Sequence, residues 1–378
     1  MPPAGCESAV SSTTAVHIIG TGMIGTSIGL ALSRAGLAVT LDDISPTSAA
    51  LARDLGAGRP SPDPQPDLVI VATPPDVAAA TVASALADFP DAYVTDVASV
   101  KGAIVADLER CGGDLTRYCG SHPMAGRERS GAVSGRADLF DGRAWVVTPT
   151  AHTRPEALQL VSDIARATGA AVRVLDPDAH DAAVASVSHV PQVAASLVAA
   201  RLSALPDDAV ALAGQGLRDV TRIAGSEPGL WTQILVGNAD AVRAVLIGLR
   251  SELDEVIGGL SAVYGNGDAP GARAVLAQTI AAGNEGYARI PGKHGAAPTA
   301  YTTVRVLIPD EPGQLGRLFA EIGETGTNIE EFHLDQRFSS LRRQHAGVGG
   351  QPEAAPVGVL DPHANRFRGI VRRRERQH

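Results

Sequence analysis

One short string restricts the fold of this chain more than any other. Gly20-Thr21-Gly22-Met23-Ile24-Gly25 stands between the β-branched run Val16–Gly20 and the helical stretch Ile24–Ala35. A strand that passes through a glycine turn into a helix offers free amides and the positive end of a helix dipole, which suits a phosphate. Gly20 permits the tight turn, Gly22 lets main chain approach a pyrophosphate, and Gly25 lets the helix pack on the strand, with Met23 and Ile24 lining the same turn. The alternation continues. Ala38–Leu41 reads as a strand, Pro46–Leu55 as a helix, and Asp67–Ala72 and Ala92–Val97 as buried strands around the Ala-rich helix Asp76–Asp88. Arg143–Thr148 and Ala171–Leu175, flanking the helix Pro155–Thr168, are expected to extend the sheet. Apolar strands alternating with two-faced helices imply an α/β fold, a doubly wound Rossmann-type parallel sheet over residues 15–177.

On such sheets ligands bind outside the carboxyl ends of the strands. The second strand ends at Asp42-Asp43, where a carboxylate can accept hydrogen bonds from both ribose hydroxyls and would repel a 2′-phosphate. NAD is therefore expected over NADP. Asp43, heading Asp-Ile-Ser-Pro, is the expected contact, with Asp42 the alternative. Thr73 and Pro74 end the next strand, and the stiff Pro74-Pro75 pair is placed beside the nicotinamide.

After about Asp178 strand signals vanish. Aliphatic stretches at helical spacing fill Val184–Ala204, Asp208–Ala224, Leu230–Ser261 and Ala272–Ala288. So few helices cannot cover their own apolar faces, so residues 178–290 are expected to form an all-helical dimerisation domain and the chain a homodimer. Residues 291–300 read as a Pro/Gly/Ala linker. Residues 301–336 hold a strand (Thr302–Ile308), a helix (Gly313–Gly323) and a second strand (Asn328–Leu334). Residues 337–378 lose periodicity and read as a disordered tail, and residues 1–14 as a disordered lead-in.

Charge narrows the function. Arg337–His378 carries nine arginines against three acids, or +6, so the remainder carries −15 of the total of −9. A body that acidic argues against nucleic acid, and an anionic substrate would have to be captured by aimed arginines. Three cysteines fit a reducing compartment rather than a disulfide framework, and Cys111 and Cys119 lack zinc-type spacing, so no metal is expected. The apolar stretches read as short and broken, with no spanning helix and no signal peptide, which together predict a cytoplasmic protein.

The most specific string is Gly120-Ser121-His122-Pro123-Met124-Ala125-Gly126-Arg127-Glu128. A histidine on a Gly/Pro loop past a strand can take the proton of a substrate hydroxyl while hydride leaves the same carbon. With Asp96-Val97-Ala98-Ser99-Val100-Lys101-Gly102, Ser188-His189-Val190-Pro191, and Asp219-Val220-Thr221-Arg222-Ile223-Ala224 followed by Trp231, it resembles the prephenate dehydrogenase family over about Val16 to Gln336. The resemblance implies His122 as catalytic base and Ser99 orienting the hydroxyl or the histidine. It implies Arg222 on a substrate carboxylate, with Asp219 and Glu128 in the ionic network around it. Ser188 and His189 would face the side chain of the substrate from a helix start, and Trp231 would pack near the site.

Gln192 stands where many prephenate-specific members carry a second histidine, which leaves prephenate and arogenate both open as substrates. A β-hydroxyacid dehydrogenase would use a lysine in the helical domain, and none lies between Ala179 and Pro291. A non-catalytic ligand sensor would tolerate loss of His122 or Arg222, and both are present. Asp310-Glu311-Pro312-Gly313-Gln314-Leu315 resembles the opening of an ACT module, of which only a strand, a helix and a second strand are evident.

Overall fold

The computed structural model describes residues 13–61, 65–125, 131–266, 269–290, 301–309, 311–325, 334–336 and 366–374. The chain divides into two compact units, Met1–Ala281 and Ala282–His378. Most of the lead-in, the linker 291–300, Glu128 and most of the tail lie outside the described residues.

The first unit opens with a parallel sheet of β1 (Ala15–Ile19), β2 (Ala38–Asp42), β3 (Arg59–Pro60), β4 (Leu68–Val71) and β5 (Tyr93–Asp96). The order is β3-β2-β1-β4-β5. It is wound by α1 (Met23–Arg34), α2 (Pro46–Asp54), α3 (Pro75–Asp88) and α4 (Gly102–Arg110). Chain order reverses between β1 and β4, which opens a crevice at their carboxyl ends. The four residues of β4 show why the sheet must be covered twice. Leu68 and Ile70 enter one apolar cluster with Ile28, Leu32 and Trp145, while Val69 and Val71 enter another with Val82, Leu86 and Ile104. Successive side chains of a strand point to opposite faces, and each such burial is worth about 1.5–3 kcal/mol.

Sequence reasoning placed the next strands in this sheet; the structure puts them in a second one. β6 (Gly120–Pro123) pairs antiparallel with β7 (Ala144–Thr148), which pairs parallel with β8 (Ala171–Val174) beside α5 (Pro155–Ala167). A bridge between Val94 and Tyr118 ties the segment before β6 to β5. In sequence Gly-Ser-His-Pro reads as a loop, since it has no β-branched residue, and the pairing of β6 depends on β7.

The helical part begins with α6 (Pro177–Val184), where Asp176 caps Ala179 N at 2.8 Å and Pro177 occupies the first turn. A π-helical turn, Ala185–His189, leads into α7 (Val190–Ala200), and Arg201–Ala204 closes the run. This run, Pro177–Ala204, spans 28 residues and contains an 18-residue window of mean hydropathy 1.4, long and apolar enough by composition to cross a membrane. That corrects the expectation of short apolar stretches. Its polar residues His180, Asp181, His189 and Gln192 break the sequence pattern but are all buried in the fold.

There follow α8 (Asp207–Val210), α9 (Gln215–Thr221), a short helix Arg222–Gly225, α10 (Pro228–Gly237), α11 (Ala239–Asn266) and α12 (Ala272–Ala288), which runs on past the unit boundary. The expected single helix Leu230–Ser261 is instead broken at Asn238, with α10 and α11 meeting at 94°.

The second unit holds β9 (Tyr301–Pro309), α13 (Gln314–Glu324), β10 (Leu334–Gln336) and β11 (Arg366–Arg374), with strand order β10-β11-β9, all antiparallel. β11 lies in the segment read as disordered, so that reading is corrected for 366–374. The arginines hid a short run with Phe367, Ile370 and Val371, residue types that favour strands once a partner edge is present.

Candidate active site

The glycine turn meets the tests of a pyrophosphate cradle. Gly20 has φ +99°, and a Cβ there would lie 2.6 Å from Ala72 O; a Cβ on Gly25 would strike Gly20 O at 1.9 Å. Nothing lies within 4 Å of a Cβ built on Gly22, so main chain is open to a ligand at that position. Met23 and Ile24 are half-buried in the first turn of α1.

Asp43 turns back to this loop. Its Oδ2 accepts from Thr21 N at 2.6 Å and Thr21 Oγ1 at 2.8 Å, and its Oδ1 from Ser45 N at 2.8 Å. Asp42 instead raises the pKa of His17, which desolvation lowers more strongly, so its charge acts toward His17. Thr73, at the carboxyl end of β4, carries a buried hydroxyl with no protein partner among the described residues. Pro74 beside it is exposed at the cap of α3. Open main chain, a carboxylate at the end of β2 and an orphaned hydroxyl at the β1–β4 crevice fit a dinucleotide.

A buried cluster sits at the end of β5. The Asp96 carboxylate accepts from Ala98 N at 2.9 Å, from Tyr118 Oη at 2.6 Å, and from the fully buried Lys101 ammonium. Lys101 Nζ also donates to Ser121 O at 2.8 Å, and Ser121 Oγ donates to Asp96 O at 2.9 Å. Lys101 thus clamps β6 to the end of β5. Burial lowers its pKa, opposed chiefly by the charge of Asp96.

The clamp fixes His122, the next residue of β6. Its Nδ1 lies 2.9 Å from His180 Nε2, with the rings edge to face at 5.1 Å. His180, on α6, has its Nδ1 2.8 Å from Asp181 Oδ1. Asp181 in turn accepts from Lys101 N at 3.0 Å and Gly102 N at 2.8 Å, which caps α4. The pKa of His122 falls well below the usual imidazole range, first through desolvation and then through the charges of His180, Lys101 and His189. A neutral imidazole that uses Nδ1 inside the protein keeps Nε2 for a ligand.

The structure brings His189 and Trp231 to this cluster. His189 is buried in the π-helical turn, its Nδ1 3.1 Å from Asn238 Nδ2, and its ring lies edge to face with Trp231 at 6.2 Å. Burial pulls its pKa down to about 4. Ser188 is half-buried in the same turn. Gln192, buried on α7, accepts from Ser226 Oγ and donates to Ser196 Oγ, each at 3.4 Å. Ser99 is half-buried in the β5–α4 loop and makes no hydrogen bond within the described residues. Arg222 and Asp219 are exposed. Arg222 opens the short helix packed on α7, and Asp219 accepts from Gln215 at 2.8 Å.

Sequence reasoning missed six contributing residues. Asp96 and Lys101 stand in a motif that gives them no role of their own, and Tyr118, Asn238 and the pair His180-Asp181 belong to no motif. The available signal was His180-Asp181 one turn after the helix-opening Asp176-Pro177.

Comparison with known proteins bears on this arrangement. Residues 28–174 match the family model for the prephenate dehydrogenase nucleotide-binding domain, and residues 176–278 that for the prephenate dehydrogenase dimerization domain. A probable prephenate dehydrogenase, NovF, of Streptomyces niveus is 38% identical over 330 residues, covering 86% of this chain and 91% of the relative. The crystal structure of prephenate dehydrogenase from A. aeolicus with hydroxyphenyl propionate and NAD+ is similar at TM-score 0.64 and 29% identity, over 73% of this chain and 99% of that one. The arogenate dehydrogenase of Synechocystis is similar at TM-score 0.60 and 26% identity, over 72% and 99%.

Proposed function

The chain belongs to the prephenate dehydrogenase family, and from that premise we propose that it converts prephenate to 4-hydroxyphenylpyruvate, with His122 as the proton acceptor. It is an NAD-dependent dehydrogenase. The reaction removes hydride from the ring carbon that bears the hydroxyl, while the ring carboxylate leaves as CO2. NAD, when bound, accepts the hydride. Aromatisation drives the step, so what the protein supplies is orientation and a place for the hydroxyl proton.

The observation that carries this reading is His122, neutral and held by Nδ1, on a strand pinned to the end of β5. The glycine turn takes the pyrophosphate, Asp43 the ribose hydroxyls, and Thr73 with Pro74 the nicotinamide side. Arg222, with Asp219 and Glu128, holds a substrate carboxylate, and Ser188, His189, Gln192 and Trp231 surround the side chain. Ser99, whose hydroxyl makes no hydrogen bond among the described residues, meets the substrate hydroxyl.

The helical part pairs two copies. Ile247, Leu253, Ile257 and Leu260 of α11 and Ile280 of α12 are 44–68% exposed, apolar area that a second copy would cover.

One observation favours a second substrate. Gln192 is neutral and buried where a cation would suit a keto acid, which fits the amino-acid side chain of arogenate. NADH formation by purified protein with prephenate and with arogenate, side by side, decides between them. Turnover of neither overturns the assignment.

A further inference from the structure

We propose that His180 and Asp181 are a positioning pair that holds His122 in the tautomer with Nδ1 protonated and Nε2 free to accept the substrate proton. The inference rests on the assignment of His122 as proton acceptor and extends it one shell outward.

Donors and acceptors run along a single chain of contacts from Asp181 to His122. Asp181 receives the amides of Lys101 at 3.0 Å and Gly102 at 2.8 Å, so its carboxylate faces donors and acts as an acceptor. The contact of 2.8 Å between Asp181 Oδ1 and His180 Nδ1 then requires the proton on His180 Nδ1. With the His180 ring neutral, its Nε2 carries a lone pair, and the 2.9 Å contact to His122 Nδ1 requires the proton on His122 Nδ1. One acceptor at the far end therefore sets the state of the ring nitrogen that meets substrate, the logic by which a carboxylate orients a histidine base in acyl-transfer triads.

The same chain gives the incoming proton somewhere to rest. When Nε2 of His122 takes the hydroxyl proton, the proton on its Nδ1 can pass to His180 Nε2. One proton enters, one moves between rings, and the positive charge ends beside the Asp181 carboxylate instead of beside Lys101. His180 is wholly buried, so water does not take over this role.

Asp181 also caps α4, and a merely structural pair would change stability alone. The test therefore reads protonation. In wild-type protein with 15N-labelled histidine, with the His122 signals assigned by their loss in His122→Asn, nitrogen NMR at neutral pH should show Nδ1 protonated and Nε2 not. Asp181→Asn places an amide that can donate to His180 and reverse the chain. It should lower kcat by about 10- to 1,000-fold with KM for NAD within twofold. The acid limb of the kcat profile should move to lower pH, because the imidazolium loses its counter-charge while His180, Lys101, held by Asp96, and His189 still face it. His180→Gln should lower kcat similarly, and His180→Asn more. A wild-type His122 protonated on Nε2, or Asp181→Asn and His180→Gln with unchanged tautomer and pH profile, would overturn the pairing even if His122→Asn is inactive. Full turnover by His122→Asn would instead remove the proton-acceptor assignment itself.

Discussion

Lys101 lies with no solvent exposure between the Asp96 carboxylate and the main-chain oxygen of Ser121, so its charge has only protein to satisfy it. Replacing one partner of such a pair leaves the other buried and unpaired, at a cost of about 3–5 kcal/mol. Lys101→Met should show that loss in denaturant unfolding, and a change below about 1 kcal/mol would mean that the cluster relaxes freely. His189 makes a second residue-scale prediction. Its pKa is about 4 in the fold against about 6.5 in an unfolded chain. Between those values the unfolded state binds more protons, so stability falls as pH drops from about 6.5 towards 4. His189→Asn should flatten this part of the stability–pH curve, and an unchanged slope would assign the acid sensitivity elsewhere.

At the scale of elements, the break between α10 and α11 positions the cluster. Asn238 occupies the bend, and its amide donates to Asp181 O at 2.8 Å as well as meeting His189 Nδ1. A continuous helix would carry this side chain past both groups. Asn238→Ala leaves a buried carbonyl and a ring nitrogen unpaired and should cost about 1–3 kcal/mol. Chemical denaturation should show it, together with a weaker slope reduction of the acid limb than His189→Asn gives. A neutral effect would show that the bend, not the amide, positions the two groups.

At the scale of the whole molecule, the two compact units separate the glycine turn and the histidine cluster from the sheet of β9, β10 and β11. Ending the chain after Ile290 should leave kcat near that of the full chain, because every residue assigned to the site precedes it. Ending it after Gln336 is a different change. β11 lies between β9 and β10, so that truncation removes the centre of a three-stranded sheet and exposes two strand edges. The shorter protein should therefore be the more soluble of the two. Equal solubility by sedimentation, or loss of turnover in the 1–290 form, would contradict this division.

The parallel sheet, the glycine turn, Asp43 at the end of β2 and the change to helices after Asp178 were all legible in the sequence, since each is local. Periodicity, turn residues and caps act over one or two turns of chain, and these segments agree with their surroundings. His122, too, stood out by its string. What surrounds it did not. Lys101 with Asp96 and Tyr118, Asp181 with two amides and His180, and Asn238 with His189 are partners that lie far apart in sequence or carry no periodic signal. β6 and β11 likewise exist only because β7 and β9 offer them an edge. Burial and pairing between distant segments set donor, acceptor and charge at the site. That is why His122 stood out in the chain as a candidate, while the groups that surround and support it had to await the fold.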